Sequence, residues 1–340
     1  MHLPVSAPPS ALVLRDSALQ QLKNLKQQLA SPVTVVQCAR LIRRVCAELE
    51  SIQGDCRSRP HFAKSLCQVA HAVRKAGHPA LAENLLERTL ARNICDQYLV
   101  SELVQCLLMR GRIDRAAQVI AWDESGASYS AVIIALTRAG ALVRARQLFE
   151  DACAKRLSVH YSLPIVLRGW VDAGRLAGAR AMFDLACAQR CAGQMSYVIM
   201  INGYARVGAL RRARHIFERA EDDGVADAPV YTAMVMAMAL RGRANAARRL
   251  LKVAVDRRRV EPRPFSFLIH QFGRAGNLNA AEAMFGMATA ADVVNVDVLA
   301  AMFAVYVRNG RRADAERIVH TAGRRGLECE AMWNELKRLT

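Results

Sequence analysis

Apolar residues fall at helical spacing in short blocks along this chain. In residues 196–208 (SYVIMINGYARVG), Tyr197, Ile201 and Tyr204 share one helical face. In the block that follows, Ala213, Ile216 and Phe217 form a second apolar stripe with a polar face opposite. The pattern predicts two short helices joined at Gly208. A glycine at that junction can adopt positive φ and end the first helix without a Cβ clash.

The same pattern recurs. Glycines stand at Gly77, Gly111, Gly140, Gly174, Gly208, Gly242, Gly276 and Gly310, spaced 34 apart except for one interval of 29. Five residues after each glycine comes an alanine: Ala82, Ala116, Ala145, Ala179, Ala213, Ala247, Ala281 and Ala315. Nine after it stand Leu86, Ile120, Phe149, Phe183, Phe217, Leu251, Phe285 and Val319, and seven before it Ala70, Val104, Ile133, Leu167, Ile201, Val235, Ile269 and Phe303. Three columns in register through eight copies define a repeat. A small residue in a buried helix column implies that two backbones approach closely there. One such hairpin cannot bury its apolar face alone, so the chain must be all-α, its neighbouring hairpins stacked into an α-solenoid.

The short interval, between Gly111 and Gly140, places its deletion around residues 122–128 and predicts a shortened second helix in that copy. The sequence divides into a flexible segment or targeting remnant (1–16), an amino-terminal helical cap without the signature glycine (17–59), eight repeats (60–329) and a closing helix (330–340).

A period of 34 fits tetratricopeptide repeats, and pentatricopeptide repeats lie close to it. A tetratricopeptide repeat wants a small residue seven positions before the turn glycine, and here that column is mostly bulky. The stretch SYVIMINGYARVGALRRARHIFERAEDDGV, together with SYSAVIIALTRAGALVRARQLFEDA and FSFLIHQFGRAGNLNAAEAMF, resembles the pentatricopeptide repeat over roughly residues 60–328. An alanine twelve residues after the glycine in six copies is a tetratricopeptide-like departure. The resemblance implies a right-handed solenoid that binds single-stranded RNA along a concave face lined by the first helices, in mitochondria or plastids.

It also implies roles for particular columns. The phosphate-facing column, two residues before the glycine, holds Lys75, Arg138, Arg206, Arg274 and Arg308; Arg110 and Arg241 come one position later, and the remaining copy has only Arg175, after its glycine. The bland reading of such an arginine is that it satisfies helix-end carbonyls and the helix dipole. Base-reading pairs fall at Cys67/Asp96, Ser101/Ser125, Ser130/Val159, Pro164/Gly193, Val198/Asp227, Thr232/Glu261, Ser266/Asn295 and Ala300/Cys329. Ser266/Asn295 matches a combination associated with adenine, and Thr232/Glu261 comes near a guanine-type pair. Pro164/Gly193 has no side-chain hydrogen-bonding group. The base-sandwiching column (Lys64, Tyr98, Ala127, Tyr161, Met195, Pro229, Arg263, Asp297) is irregular, so a tract reading eight bases is not expected.

Charge agrees with a polyanionic partner. The chain has 48 Lys and Arg against 30 Asp and Glu, a net charge of +18. A second basic set, Arg211, Arg212, Arg214, Arg248, Arg249, Arg257, Arg258, Arg259, Arg311, Arg312, Arg324 and Arg325, lies on the second helices and loops. It is expected to form either a solvated face or an additional RNA contact.

Sites for chemistry do not emerge. Ten cysteines occur without a C-x-x-C and read as free thiols, with Cys153 and Cys187 in one repeat column expected to pack. No H-x-E with C-x-x-C deaminase signature, phosphate-binding G-x-x-x-x-G-K-[ST] or Ser-His-Asp arrangement can be argued, so neither enzyme activity, cofactor nor metal is expected. No apolar run reaches membrane-spanning length, and neither a membrane nor a small-molecule substrate is an expected partner. The first 15 residues lack acids, compatible with organelle targeting. Three functions stay open: a structural subunit of an organellar ribonucleoprotein such as the mitochondrial ribosome, contacting ribosomal RNA and neighbouring proteins; a free factor for one transcript; and a tetratricopeptide-type protein scaffold.

Overall fold

A computed structural model describes residues 60–91, 97–122, 126–327 and 330–338. The expected cap at 17–59 and the segment 1–16 lie outside the described residues. The described residues contain seventeen α-helices and one 3-10 turn. Two compact units divide at residue 166/167.

The first unit contains α1 (Pro60–Lys75), α2 (Pro79–Leu90), α3 (Gln97–Met109), α4 (Ile113–Val119), α5 (Gly126–Arg138) and α6 (Leu142–Ala154). The division falls inside α7 (Leu163–Asp172). The second unit continues through α8 (Leu176–Ala188), α9 (Gln194–Arg206), α10 (Leu210–Asp222), α11 (Ala228–Leu240), α12 (Ala244–Asp256), α13 (Pro262–Arg274), α14 (Leu278–Ala290), α15 (Val296–Arg308), α16 (Arg312–Arg324) and α17 (Glu330–Arg338). Odd-numbered helices up to α15 are the first members of the hairpins, and even-numbered helices the second.

Each turn glycine does what the pattern required. All eight have positive φ, between 68° and 88°. The residue after the glycine donates its N–H to a carbonyl five residues back, as in Ala141 N to Leu136 O at 2.9 Å and Ala209 N to Tyr204 O at 2.9 Å. This wraps the last turn of the first helix onto itself and satisfies its orphan carbonyls.

The columns are the core. All eight alanines five residues after the glycine are completely buried, as are Ala152, Ala186, Ala220, Ala254, Ala288 and Ala322. The column seven residues before the glycine is likewise buried in every copy, and in the column nine after it only Phe285 is left half-buried. Burying a Leu, Ile or Phe side chain is worth about 1.5–3 kcal/mol, so these columns dominate the stabilisation. Within the second unit the first helices pack on one another, α9 on α11, α11 on α13 and α13 on α15, while each also packs on its own second helix.

The five-residue deletion shortens a helix, as expected. α4 has 7 residues and ends in a 3-10 turn, Ile120–Trp122, where other complete second helices have 12 or 13. α5 then starts against the loop following α6: a Cβ on Gly126 would lie 2.1 Å from the Ser158 carbonyl oxygen. No helix among the described residues is long and apolar enough to cross a membrane.

Candidate nucleic-acid interface

The basic column at the end of the first helices splits into two kinds of residue. Lys75, Arg138, Arg274 and Arg308, two positions before their glycines, are exposed and form no ion pair with a described residue. Arg206, in the same column, is exposed and pairs with Asp172 of the preceding hairpin at 2.7 Å. Arg110 and Arg241 stand one position later, which rotates them by about 100° around the helix. They turn onto protein groups instead. Arg110 Nη1 meets Glu83 Oε2 at 2.7 Å, and Arg112 binds the other oxygen of that buried carboxylate. Arg241 donates to the Ala205 carbonyl at 2.6 and 3.0 Å and to that of Arg206 at 2.5 Å, closing the end of α9 in the neighbouring hairpin. The carbonyl-capping role therefore belongs to Arg241, and Arg110 is instead an ion-pair partner across hairpins.

Beside this column lies a groove of about 630 Å³ on the first-helix layer of the second unit. Val198, Asn202 and Arg206 reach it from α9, Thr232 and Met236 from α11, and Glu261 and Arg263 from the start of α13. The hydroxyl of Thr232 is buried without a hydrogen-bond partner, and Glu261 precedes α13 without using its carboxylate as a cap. A buried hydroxyl without a partner is costly to the fold. The Thr232/Glu261 pair singled out from sequence thus lines one groove, with the Thr232 hydroxyl turned out of solvent.

Other pairs are engaged locally. The Ser266 hydroxyl donates to the Arg263 carbonyl at 3.0 Å. Asn295 caps α15, its Oδ1 accepting from Val298 N at 3.0 Å while its Nδ2 donates to Asp297 at 3.3 Å. Asp227 caps α11 through Ala228 N at 2.8 Å. Asp96, Ser125 and Cys329 lie outside the described residues. Tyr98 and Tyr161 of the sandwiching column are 62% and 77% exposed, placing two aromatic faces where the family pattern has smaller aliphatic residues.

The second basic set is also divided. Arg211, Arg212, Arg214, Arg248, Arg249, Arg258, Arg324 and Arg325 are exposed. Arg257 binds Glu221 and the Tyr231 hydroxyl, and Arg259 the Ala226 carbonyl. Arg311 pairs with Asp314 at 2.5 Å and Arg312 with Glu316 at 3.0 Å.

Two columns escaped sequence reasoning. Eleven residues before the glycine, Tyr129, Tyr197 and Tyr231 are buried and tie their hydroxyls to groups at the carboxyl ends of the second helices. Tyr129 accepts from Lys155 at 2.6 Å, Tyr197 donates to Asp223, and Tyr231 donates to Glu221 at 2.6 Å. Burial, reinforced by the Asp223 hydrogen bond, raises the Tyr197 phenol well above its ordinary range. The 34-residue spacing of Tyr197 and Tyr231 was the available signal. Sixteen residues after the glycine, a second left-handed column closes the second helices: Arg156, Arg190, Gly224, Arg258, Asp292 and Gly326. It went unseen because only two of its members are glycine.

Cys67, Cys106, Cys153, Cys187 and Cys191 form no disulfide with one another. Cys153 and Cys187 are half-buried rather than enclosed. Cys106 is fully buried, which pushes its thiol up to about 12. No group of His, Cys, Asp and Glu able to hold a metal occurs among the described residues.

Stacked helix–turn–helix hairpins with glycine turns and small-residue seams define an α-solenoid of the helical-repeat class. The family model described as the PPR repeat matches residues 127–156 and 195–225, the α5–α6 and α9–α10 hairpins. Two of the eight hairpins therefore carry sequence that matches the pentatricopeptide repeat. Among solved structures it is similar to the pentatricopeptide-repeat protein PPR10 in complex with an 18-nt psaJ RNA element, at 16% identity and a TM-score of 0.50, over 94% of this chain and 48% of that one. The structure of PPR10 from maize aligns at 18% identity with a TM-score of 0.49, over 98% of this chain and 57% of that one. The chain thus spans about half the length of these proteins. A search of curated proteins finds no match.

Proposed function

We propose that this chain is a non-enzymatic RNA-binding protein that holds single-stranded RNA along its first-helix layer, mainly through phosphates, as a structural subunit of an organellar ribonucleoprotein, the mitochondrial ribosome. The observation that carries the reading is the column Lys75, Arg138, Arg206, Arg274 and Arg308, exposed at the ends of first helices in both units. PPR10, similar in fold, is described in complex with RNA. Phosphate contacts position an RNA without reading it. The base-facing column fits that role: the Thr232 hydroxyl is buried, Asn295 serves as a cap, and Pro164/Gly193 offers nothing to a base edge. Such a distribution suits a subunit held in place by an assembly more than a factor selecting one transcript.

The test is equilibrium binding to single-stranded RNA across a salt series. Five neutralised phosphates predict that log K falls with log salt at a slope of roughly −3.5. A slope near zero would contradict phosphate-dominated binding and favour a protein scaffold. Tight preference for one short RNA over scrambled competitors would favour the transcript-factor alternative. Co-sedimentation of the native protein with a mitochondrial ribosomal subunit at moderate salt tests the assembly, and a light, free species would refute it.

A further inference from the structure

The second-helix layer carries a basic groove that the RNA path on the first helices does not use. A cavity of about 690 Å³ lies between α8 and α10, with Arg180, Asp184, Tyr204, Arg211, Arg212 and His215 on its walls. That volume is within the range of small-ligand sites and admits a nucleotide-sized group. Asp184 is the only carboxylate in the lining, and both its oxygens are taken. Oδ2 accepts from Arg180 at 2.6 Å and Oδ1 from Arg219 at 2.8 Å. Arg211 and Arg212 are exposed and pair with no carboxylate among the described residues; the Arg212 guanidinium lies 6.0 Å from the Tyr204 ring centre. Arg211 also borders a smaller cavity of about 280 Å³ with Arg214 and Arg243. It therefore stands on a ridge between two basic hollows.

The free protein is destabilised by this arrangement. Arg211 and Arg212 occupy the first turn of α10, which has no acidic residue and no side-chain cap. A helix amino terminus is already electropositive, so cations there are unfavourable. α16 also has two arginines at its start, Arg311 as the N-cap and Arg312 as the first residue, yet Asp314 and Glu316 neutralise them. α10 contains no equivalent acids, and its charge is left for an external anion.

We propose that the ridge around Arg211 and Arg212 is a second RNA-backbone site, taking consecutive phosphodiesters of an RNA segment separate from the one on the first helices. The planar guanidinium fork suits phosphate oxygens, and two hollows flanking one arginine suit successive phosphates. The inference rests on RNA being the ligand class proposed above, but it uses different residues.

The full-length protein is titrated at low salt with an oligouridylate of about 20 nucleotides, and stoichiometry is read by native mass spectrometry. Wild type binds two oligomers; the variant R211E/R212E binds one, with at least tenfold loss at the second site. Thermal unfolding of that variant without RNA rises by about 2 °C, because carboxylates at the start of α10 are favourable. If the charge reversal prevents folding, R211Q/R212Q gives the same stoichiometric answer. One oligomer on wild type overturns the proposal, as does R211E/R212E binding two with unchanged affinity. Displacement of the second oligomer by polyglutamate at equal charge concentration also overturns it, by assigning the ridge to an acidic protein. The variant R138E/R206E/R274E separates the two sites: keeping both oligomers refutes the first-helix path while leaving the ridge intact.

Discussion

In residues 60–154, five arginines meet carboxylates supplied by the adjacent hairpin. Arg110 and Arg112 converge on Glu83, Arg74 holds Glu102 at 2.5 Å, Arg115 holds Glu87 at 3.0 Å, and Arg144 binds Asp114. Glu83 and Glu102 are buried, so these contacts tie hairpin to hairpin. In residues 194–290 some arginines do the same, as Arg219 and Arg257 do with Asp184 and Glu221. Many more there, including Arg211, Arg212, Arg248, Arg249 and Arg274, stand exposed without such partners. The composition follows: residues 60–154 hold 11 Lys and Arg against 9 Asp and Glu, and residues 194–290 hold 15 against 8. The role of an arginine in this fold is set by whether a carboxylate lies one hairpin away. With one it pairs across the hairpins as a clamp; without one it caps carbonyls, as Arg241 does, or stands exposed, as Arg211 and Arg274 do.

Removing a clamp is expected to have the largest effect. Glu83→Ala leaves Arg110 and Arg112 converging on nothing and should cost about 2–3 kcal/mol, the arginines being partly solvated. Urea unfolding measures it, and a loss below about 0.5 kcal/mol would break the comparison. Gly126→Ala should cost about 2 kcal/mol, because its Cβ would collide with the Ser158 backbone rather than a movable side chain. Gly193→Ala, with nothing within 4 Å, serves as its control and should change stability little. Arg258→Gly should stabilise by roughly 1 kcal/mol, since Arg258 holds φ 55° in the left-handed region where glycine is unstrained. A destabilisation instead would mean that the side chain makes a contact worth more than the strain. The smallest effect concerns Cys106: burial and its raised pKa should leave it unalkylated at neutral pH in the folded protein and alkylated once urea unfolds it, as mass spectrometry of the labelled protein would record.

Much of the fold was legible because the repeat places one residue type under one constraint. The turn glycines need positive φ, the alanines need to be small, and the deletion between Gly111 and Gly140 had to shorten a helix. The second left-handed column was illegible for the converse reason: Arg156, Arg190 and Arg258 accept the strain, so no glycine marks them. The candidate site was legible by column but not by occupancy. That Arg241 would cap α9, and that Arg206 would remain exposed beside Asp172, depends on neighbours one hairpin away and on a rotation of a single residue. Likewise, Asn295 looked like a base reader until its oxygen proved to be the cap of α15.

The central claim is that exposed cations two residues before the turn glycines hold RNA by its phosphates. It is tested most directly by the salt dependence of single-stranded RNA binding in wild type and in the variant R138E/R206E/R274E. The account predicts a wild-type slope of log K against log salt near −3.5, flattened by about 2 in the variant, with the melting temperature little changed. An unchanged slope, with binding lost for one RNA sequence only, would contradict it.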